Sequence, residues 1–140
     1  MKQQADPHLK LQLTALRGNE TVLLVEDEET LLDLLDTMLV EHGYRTLMAR
    51  DGVEAVEVYQ QNKDAIAIVL SDMGLPRLGG WEAFHQMRLI NPAVKVILAS
   101  GYLDPNLRKE MIDAGAVDFI QKPYVAEEIL KRIRSVIDGN

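Results

Sequence analysis

The sequence predicts an α/β fold: a doubly wound, three-layer sandwich around a parallel five-stranded sheet. Three observations predict it. From Thr21 onward, five short β-rich runs alternate with five segments of helical apolar spacing, the pattern of successive βα units rather than of separate strand and helix blocks. The runs are continuously apolar, as in Thr21–Val25 and Ala65–Ser71, which fits strands covered on both faces. A length of 140 residues suits one domain that buries about two-thirds of its unfolded surface. Right-handed crossovers then leave an open sandwich.

Each element has a local reason. Residues 1–18 lack any strand-like run, and the first twenty residues carry a net charge of +1. Asp6-Pro7 is a helix start, a capping side chain before a proline whose φ suits the first helical position. Leu9, Leu13 and Leu16 share one face before Arg17-Gly18. A helix of about eleven residues is marginal alone, so 1–18 reads as an extension or linker and 19–140 as the domain. Thr21–Val25 is the first strand. Leu31, Leu34, Leu35 and Met38 follow at helical spacing up to His42-Gly43, and Tyr44–Ala49 is the second strand. Asp51 caps the next helix, with Glu54 three residues on as in a capping box. Ala65–Ser71 is the third strand, Gly80–Ile90 a helix stopped by Asn91-Pro92, and Val94–Ala99 the fourth strand. Asp104-Pro105 opens a helix that closes at Ala114-Gly115. Val117–Ile120 is the fifth strand, and Ala126–Asp138 is amphipathic, with Ile129, Ile133, Val136 and Ile137 inward.

Composition removes several function classes. Fifteen basic against 22 acidic residues give a net charge of −7 and a pI near 4.9, a poor match to nucleic acid or an anionic membrane. There is no cysteine, hence no disulfide, thiolate nucleophile or Cys-ligated metal. The longest apolar run, Ala65–Leu70, is far short of the roughly 20 residues of a membrane helix, and no signal peptide is legible. A cytoplasmic protein is the expectation.

In open α/β sheets, ligands bind beyond the carboxyl ends of the strands. There the first strand delivers Glu26 and Asp27, the third Asp72, the fourth Ser100-Gly101 and the fifth Lys122-Pro123. Three carboxylates, one hydroxyl and one ammonium therefore converge. Carboxylates that close repel unless a cation sits among them. An all-oxygen set without His or Cys selects a hard ion, Mg²⁺ first and Mn²⁺ as the alternative. With Lys122 and Ser100 alongside, the set suits a phosphoryl group, whose transfer needs positioning and charge neutralisation. Asp72 stands apart from the acidic quartet Glu26–Glu29 and is the candidate acceptor, since aspartyl phosphates are an established intermediate type. Taken singly these signals are ordinary. An acidic run at a helix start stabilises the macrodipole, and an Asp after a strand commonly forms a turn. Only their joint arrival at four strand ends is specific. His8, His42 and His85 are scattered, and Trp81, Phe84 and Met87 have packing spacing.

Val25-Glu26-Asp27-Glu28, Ser71-Asp72-Met73-Gly74-Leu75-Pro76, Ala99-Ser100-Gly101-Tyr102 and Phe119-Ile120-Gln121-Lys122-Pro123 together resemble the receiver domain of two-component response regulators, across about residues 19–137. The resemblance implies a flavodoxin-like (βα)5 fold with strand order 2-1-3-4-5, an order that receivers share. It implies that Asp72 accepts phosphate from a histidine kinase's phosphohistidine, directly or through a phosphotransfer protein. Glu26, Asp27, Asp72 and the backbone carbonyl of Gly74 would bind Mg²⁺. Ser100 and Lys122 would contact phosphoryl oxygens, Lys122-Pro123 would be cis, and Phe119 would be the aromatic switch. Phosphorylation would draw Ser100 inward, let Phe119 rotate into the space vacated, and change the 104–138 face toward an effector protein or a second copy.

Departures from the family pattern set further expectations. Glu26 stands where many members have Asp. Gly79 replaces a common Asp, which predicts a loop that is loose before metal binds. Gly74 and Tyr102 occupy positions that tune autodephosphorylation, and lean toward a long-lived phosphoform. The expected chemistry is that of a signalling phosphoacceptor, not a turnover enzyme. The alternative is a receiver-like interaction scaffold independent of phosphorylation. A dehalogenase-type phosphatase lacks its second Asp, the position being Gly74. A flavin carrier lacks its phosphate loop, because Glu26–Glu29 would repel the phosphate. The chain stops two residues after the last predicted helix, which fits either a stand-alone receiver or a module of a larger regulator or hybrid kinase.

Overall fold

The computed structural model describes residues 16–102, 104–115 and 118–139. Its elements are β1 (Thr21–Val25), α1 (Glu29–Glu41), β2 (Arg45–Ala49), α2 (Gly52–Asn62), β3 (Ile66–Asp72), α3 (Gly80–Ile90), β4 (Val96–Ser100), α4 (Pro105–Asp113), β5 (Asp118–Gln121) and α5 (Ala126–Asp138). The sheet order is β2-β1-β3-β4-β5, and every pairing is parallel. The order expected from the family resemblance is therefore the one observed.

Successive strand residues point to opposite faces, and both faces are buried. Leu23, Val25, Val69, Leu98 and Phe119 pack with Ala55, Tyr59, Phe84, Met87 and Met111 of α2, α3 and α4. Val22, Leu24, Ile68, Leu70, Ile97 and Ile120 pack with Leu32, Leu35 and Leu39 of α1 and Ile129, Ile133 and Val136 of α5. Continuous apolar strands are thus the signature of two cores divided by one sheet.

Local boundaries shift for identifiable reasons. Tyr44 is buried and its amide bonds the Leu39 carbonyl, so it closes α1 and β2 begins at Arg45. Val94 is held in a turn by its bond to the Asn91 carbonyl, so β4 starts at Val96 and extends to Ser100. β3 runs from Ile66 through Asp72, a residue past the expected end. Val117 lies outside the described residues, as does most of the predicted N-terminal helix with Leu9 and Leu13. Leu16, at its end, is buried beside Tyr44.

α1 is rotated from the expected face. Leu32, Leu35 and Leu39 are its buried residues, whereas Leu34 is 62% exposed. Leu is abundant on every side of this helix, so apolar spacing alone left the seam ambiguous. In α5 the expected Ile129, Ile133 and Val136 are buried together with Leu130, and Ile137 packs at the margin. The predicted caps form: Asp51 accepts from the Glu54 amide at 2.8 Å, and Asp104 from the Asn106 amide at 2.8 Å. Glu54 reaches back to the Arg50 amide rather than to Asp51. No helix among the described residues is long and apolar enough to cross a membrane.

Candidate metal and phosphoryl site

The parallel ladder continues past the strand ends and delivers the site. The Glu26 amide bonds the Ala49 carbonyl, Met73 bonds Ala99, and Lys122 bonds Ser100. These bonds fix the backbone on either side of each functional side chain. Glu26, Asp27 and Asp72 each offer a carboxylate oxygen, and these oxygens lie within 4.8 Å of one another. Glu26 and Asp72 are buried, while Asp27 is exposed at the rim. Lys122 Nζ stands 3.2 Å from Asp72 Oδ1 and 3.4 Å from Glu26 Oε2. Its Nζ also lies over the ring of half-buried Tyr124, 5.4 Å from the centroid.

Burial first, then the charge of Asp72, raises the Glu26 carboxyl above its ordinary range, with Lys122 opposing. For Lys122, burial alone would lower the ammonium, but the Asp72 and Glu26 carboxylates outweigh it and the net shift is upward. Burial chiefly, with Glu26 and Asp72 behind it, raises the Tyr124 hydroxyl. One ammonium faces three carboxylates, so the pocket is short of positive charge. Hard oxygen donors with no nitrogen or sulfur among them fit Mg²⁺ or Mn²⁺.

Gly74 borders the same pocket: a Cβ there would stand 3.7 Å from Asp72 Oδ2. The Lys122-Pro123 peptide is cis. Ser100 is engaged locally. Its hydroxyl donates to the Tyr102 carbonyl at 2.8 Å and accepts from the Tyr102 amide at 3.3 Å. A hydroxyl two residues from a backbone amide and carbonyl satisfies itself locally. Phe119 is already buried, 4% exposed, among the α2–α4 core residues, with the Arg108 guanidinium 5.8 Å from its ring. The β3–α3 loop is tied to the start of α2: Arg77 donates two hydrogen bonds to Asp51. Neither residue stood out in the sequence, where Asp51 reads only as a cap. Of the histidines, His42 bonds the Met38 carbonyl and His85 packs on Trp81, away from the carboxylates.

A family model, the response regulator receiver domain, matches residues 22–134. The chain belongs to the response regulator receiver family. Among curated relatives, response regulator MprA of Mycobacterium sp. (strain KMS) is 32% identical over 117 residues, covering 83% of this chain and 50% of that protein. Sporulation initiation phosphotransferase F of Bacillus subtilis is 28% identical over 119 residues, covering 85% and 94% respectively. The chain thus spans about half the length of the MprA relatives and nearly all of the second protein. Among solved structures, the receiver domain of sensor histidine kinase PA1611 from Pseudomonas aeruginosa superposes with a TM-score of 0.75 at 27% identity. The match covers 88% of this chain and all of that one. That structure carries a magnesium ion coordinated in its active-site cleft. Receivers bind Mg²⁺ at their acidic site, and this receiver has an acidic cluster at the carboxyl ends of β1 and β3.

Proposed function

We propose that this receiver is a Mg²⁺-dependent phosphoacceptor in which Asp72 takes a phosphoryl group from the phosphohistidine of a histidine kinase or phosphotransfer protein. The observation that carries the reading is the placement of Lys122 Nζ between Asp72 and Glu26, at 3.2 and 3.4 Å. An ammonium held there is poised for an anion bonded to Asp72. Residues 19–140 form the receiver and residues 1–18 an extension of it, and the setting is the cytoplasm.

Asp72 Oδ forms the new O–P bond while the donor's N–P bond breaks, and the imidazole leaves with the electron pair. Glu26, Asp27, Asp72 and the Gly74 carbonyl would hold the ion, with Mn²⁺ as a substitute. The bound ion supplies charge neutralisation for phosphoryl oxygens beside three carboxylates. Lys122 neutralises a further oxygen. Ser100 contributes after trading its Tyr102 carbonyl for a phosphoryl oxygen. The buried Phe119 ring is the group that would couple to Ser100 in the switch. The outcome is a population shift rather than turnover. The responsive face holds a groove of about 310 Å³ lined by Pro105, Arg108, Phe119, Gln121, Glu128 and Arg132. An effector protein or a second copy would read it. Gly74 has no side chain to position a hydrolytic water, which favours a persistent phosphoform.

The test is incubation with Mg²⁺ and a small acyl phosphate, followed by intact mass. The wild-type chain should gain one phosphoryl group and Asp72→Asn none. Absence of the adduct, or its persistence in Asp72→Asn, defeats the assignment and favours the phosphorylation-independent scaffold.

A further inference from the structure

We propose that Arg77 and Asp51 form a clamp that holds the β3–α3 loop in position at the mouth of the site, making Arg77 a positioning residue for cation binding. The proposal rests on the reading of Gly74 and Asp72 as part of the cation site.

Four observations meet at this loop. Arg77 has φ +63°, and no other described non-glycine residue has a positive φ. A residue with a Cβ adopts the left-handed region only when its surroundings hold it there. Its guanidinium is what they hold: Nε donates to Asp51 Oδ2 and an Nη to Asp51 Oδ1, both at 3.0 Å. This paired, planar contact is the geometry in which Arg and a carboxylate fix each other's orientation. Asp51 is itself immobilised, because the same Oδ1 caps α2 by accepting from the Glu54 amide at 2.8 Å. Finally, Gly52 lets the two loops meet backbone to backbone. A Cβ on Gly52 would stand 2.0 Å from the Leu78 carbonyl oxygen.

The remaining loop anchors flank Arg77 on both sides. Leu75 is buried in the core, and the Gly80 amide bonds the Met73 carbonyl. These fix the two roots of the loop, Leu78 packs against the core from the tip, and the clamp supplies the tip's side-chain hydrogen bonds to the rest of the fold. Gly79, with no side chain, contributes no tether of its own, and Arg77 supplies one from two positions away. If a ligand group is competently placed only a fraction of the time, its apparent affinity falls by that fraction. The clamp acts by raising that fraction for the Gly74 carbonyl.

Two substitutions isolate it. Arg77→Asn removes the guanidinium while tolerating the left-handed conformation. Asp51→Asn keeps a capping oxygen for α2 while removing the charge. The measurements are Mg²⁺ affinity by calorimetry, amide exchange of residues 73–80 with chelator present, and melting temperature. Each single variant should weaken Mg²⁺ binding about two- to five-fold, the range of an exposed, well-aligned ion pair. Exchange should accelerate locally, the melting temperature should change little, and the double variant should be no worse than the weaker-binding single. Unchanged Mg²⁺ affinity in both singles overturns the clamp, as do losses that add in the double variant. If the wild-type chain binds no Mg²⁺ at millimolar concentration, the cation reading fails and the clamp with it.

Discussion

Removing the ammonium from the carboxylate pocket isolates its contribution to stability. In Lys122→Met the stem survives and the charge does not. At an effective dielectric of about 20, the contacts of 3.2 Å to Asp72 and 3.4 Å to Glu26 are each worth about 5 kcal/mol of gross attraction. The protein does not forfeit that sum, because a carboxyl left unpaired takes up a proton instead. Protonating a Glu of ordinary pKa near 4.3 costs about 1.36 kcal/mol per pH unit above it, which caps the penalty at about 4 kcal/mol at pH 7. The cap falls to about 1.5 kcal/mol at pH 5.5. The sign follows from the direction of the shift. Glu26 is already raised in the folded protein, and losing Lys122 raises it further, so the variant's deficit grows as pH climbs above the unfolded Glu value. The assay is urea unfolding of both proteins at pH 7 and 5.5 with chelator present, so that no cation replaces the ammonium. A loss of about 3–4 kcal/mol at pH 7 that shrinks to about 1.5 at pH 5.5 is expected. A loss below about 1 kcal/mol at pH 7, or one that does not shrink on acidification, refutes the reasoning.

Three further outcomes are expected. Gly52→Ala places a methyl against the Leu78 carbonyl, 2.0 Å from the new Cβ. It should cost about 1–3 kcal/mol by overpacking, read by thermal melting. Glu20 is gripped by Arg134, whose hydrogen bond, against the opposing effect of burial, lowers its carboxyl to about 2. That contribution is present above the unfolded Glu value and lost as pH falls through about 2, so Glu20→Gln should flatten the acid limb of a stability–pH curve. Leu32, fully buried, and Leu34, 62% exposed, test the rotation of α1. Leu32→Ala should cost about 2–5 kcal/mol in urea and Leu34→Ala no more than about 0.5, and comparable losses would place the seam elsewhere.

What was legible in the sequence, and what was not, divides by the range of the cause. Glu26, Asp27, Asp72 and Lys122 were legible because each follows an apolar strand directly. Once the strands are parallel, their ends must meet. The caps Asp51 and Asp104 were legible because capping is a contact within four residues. The α1 seam was not, since Leu31, Leu32, Leu34, Leu35 and Leu39 offer two overlapping stripes, and packing against α5 and the sheet selects one. Ser100 was placed correctly along the chain, but its rotamer answers to Tyr102. The Arg77–Asp51 pair joins residues 26 apart, and a Gly at position 79 suggested looseness there. Only the fold reveals that the tether comes from Arg77.

The division of the interior into two cores also settles how the strands choose their alignment. In a sheet with one wet face, a one-residue slip turns the apolar side outward and is rejected at once. Here a slip in β1 or β3 would exchange one buried face for another, Leu23 for Leu24 or Val69 for Leu70, at almost no hydrophobic cost. The penalty comes from the tips. The observed alignment sets Val25 beside Ala49 and Ser71, and Asp72 beside Ala99. Shifting one strand by one place would draw Glu26 or Asp72 into the apolar interior, away from Lys122. The charged ends that serve the chemistry are therefore also the punctuation that keeps the apolar strands β1 and β3 in frame.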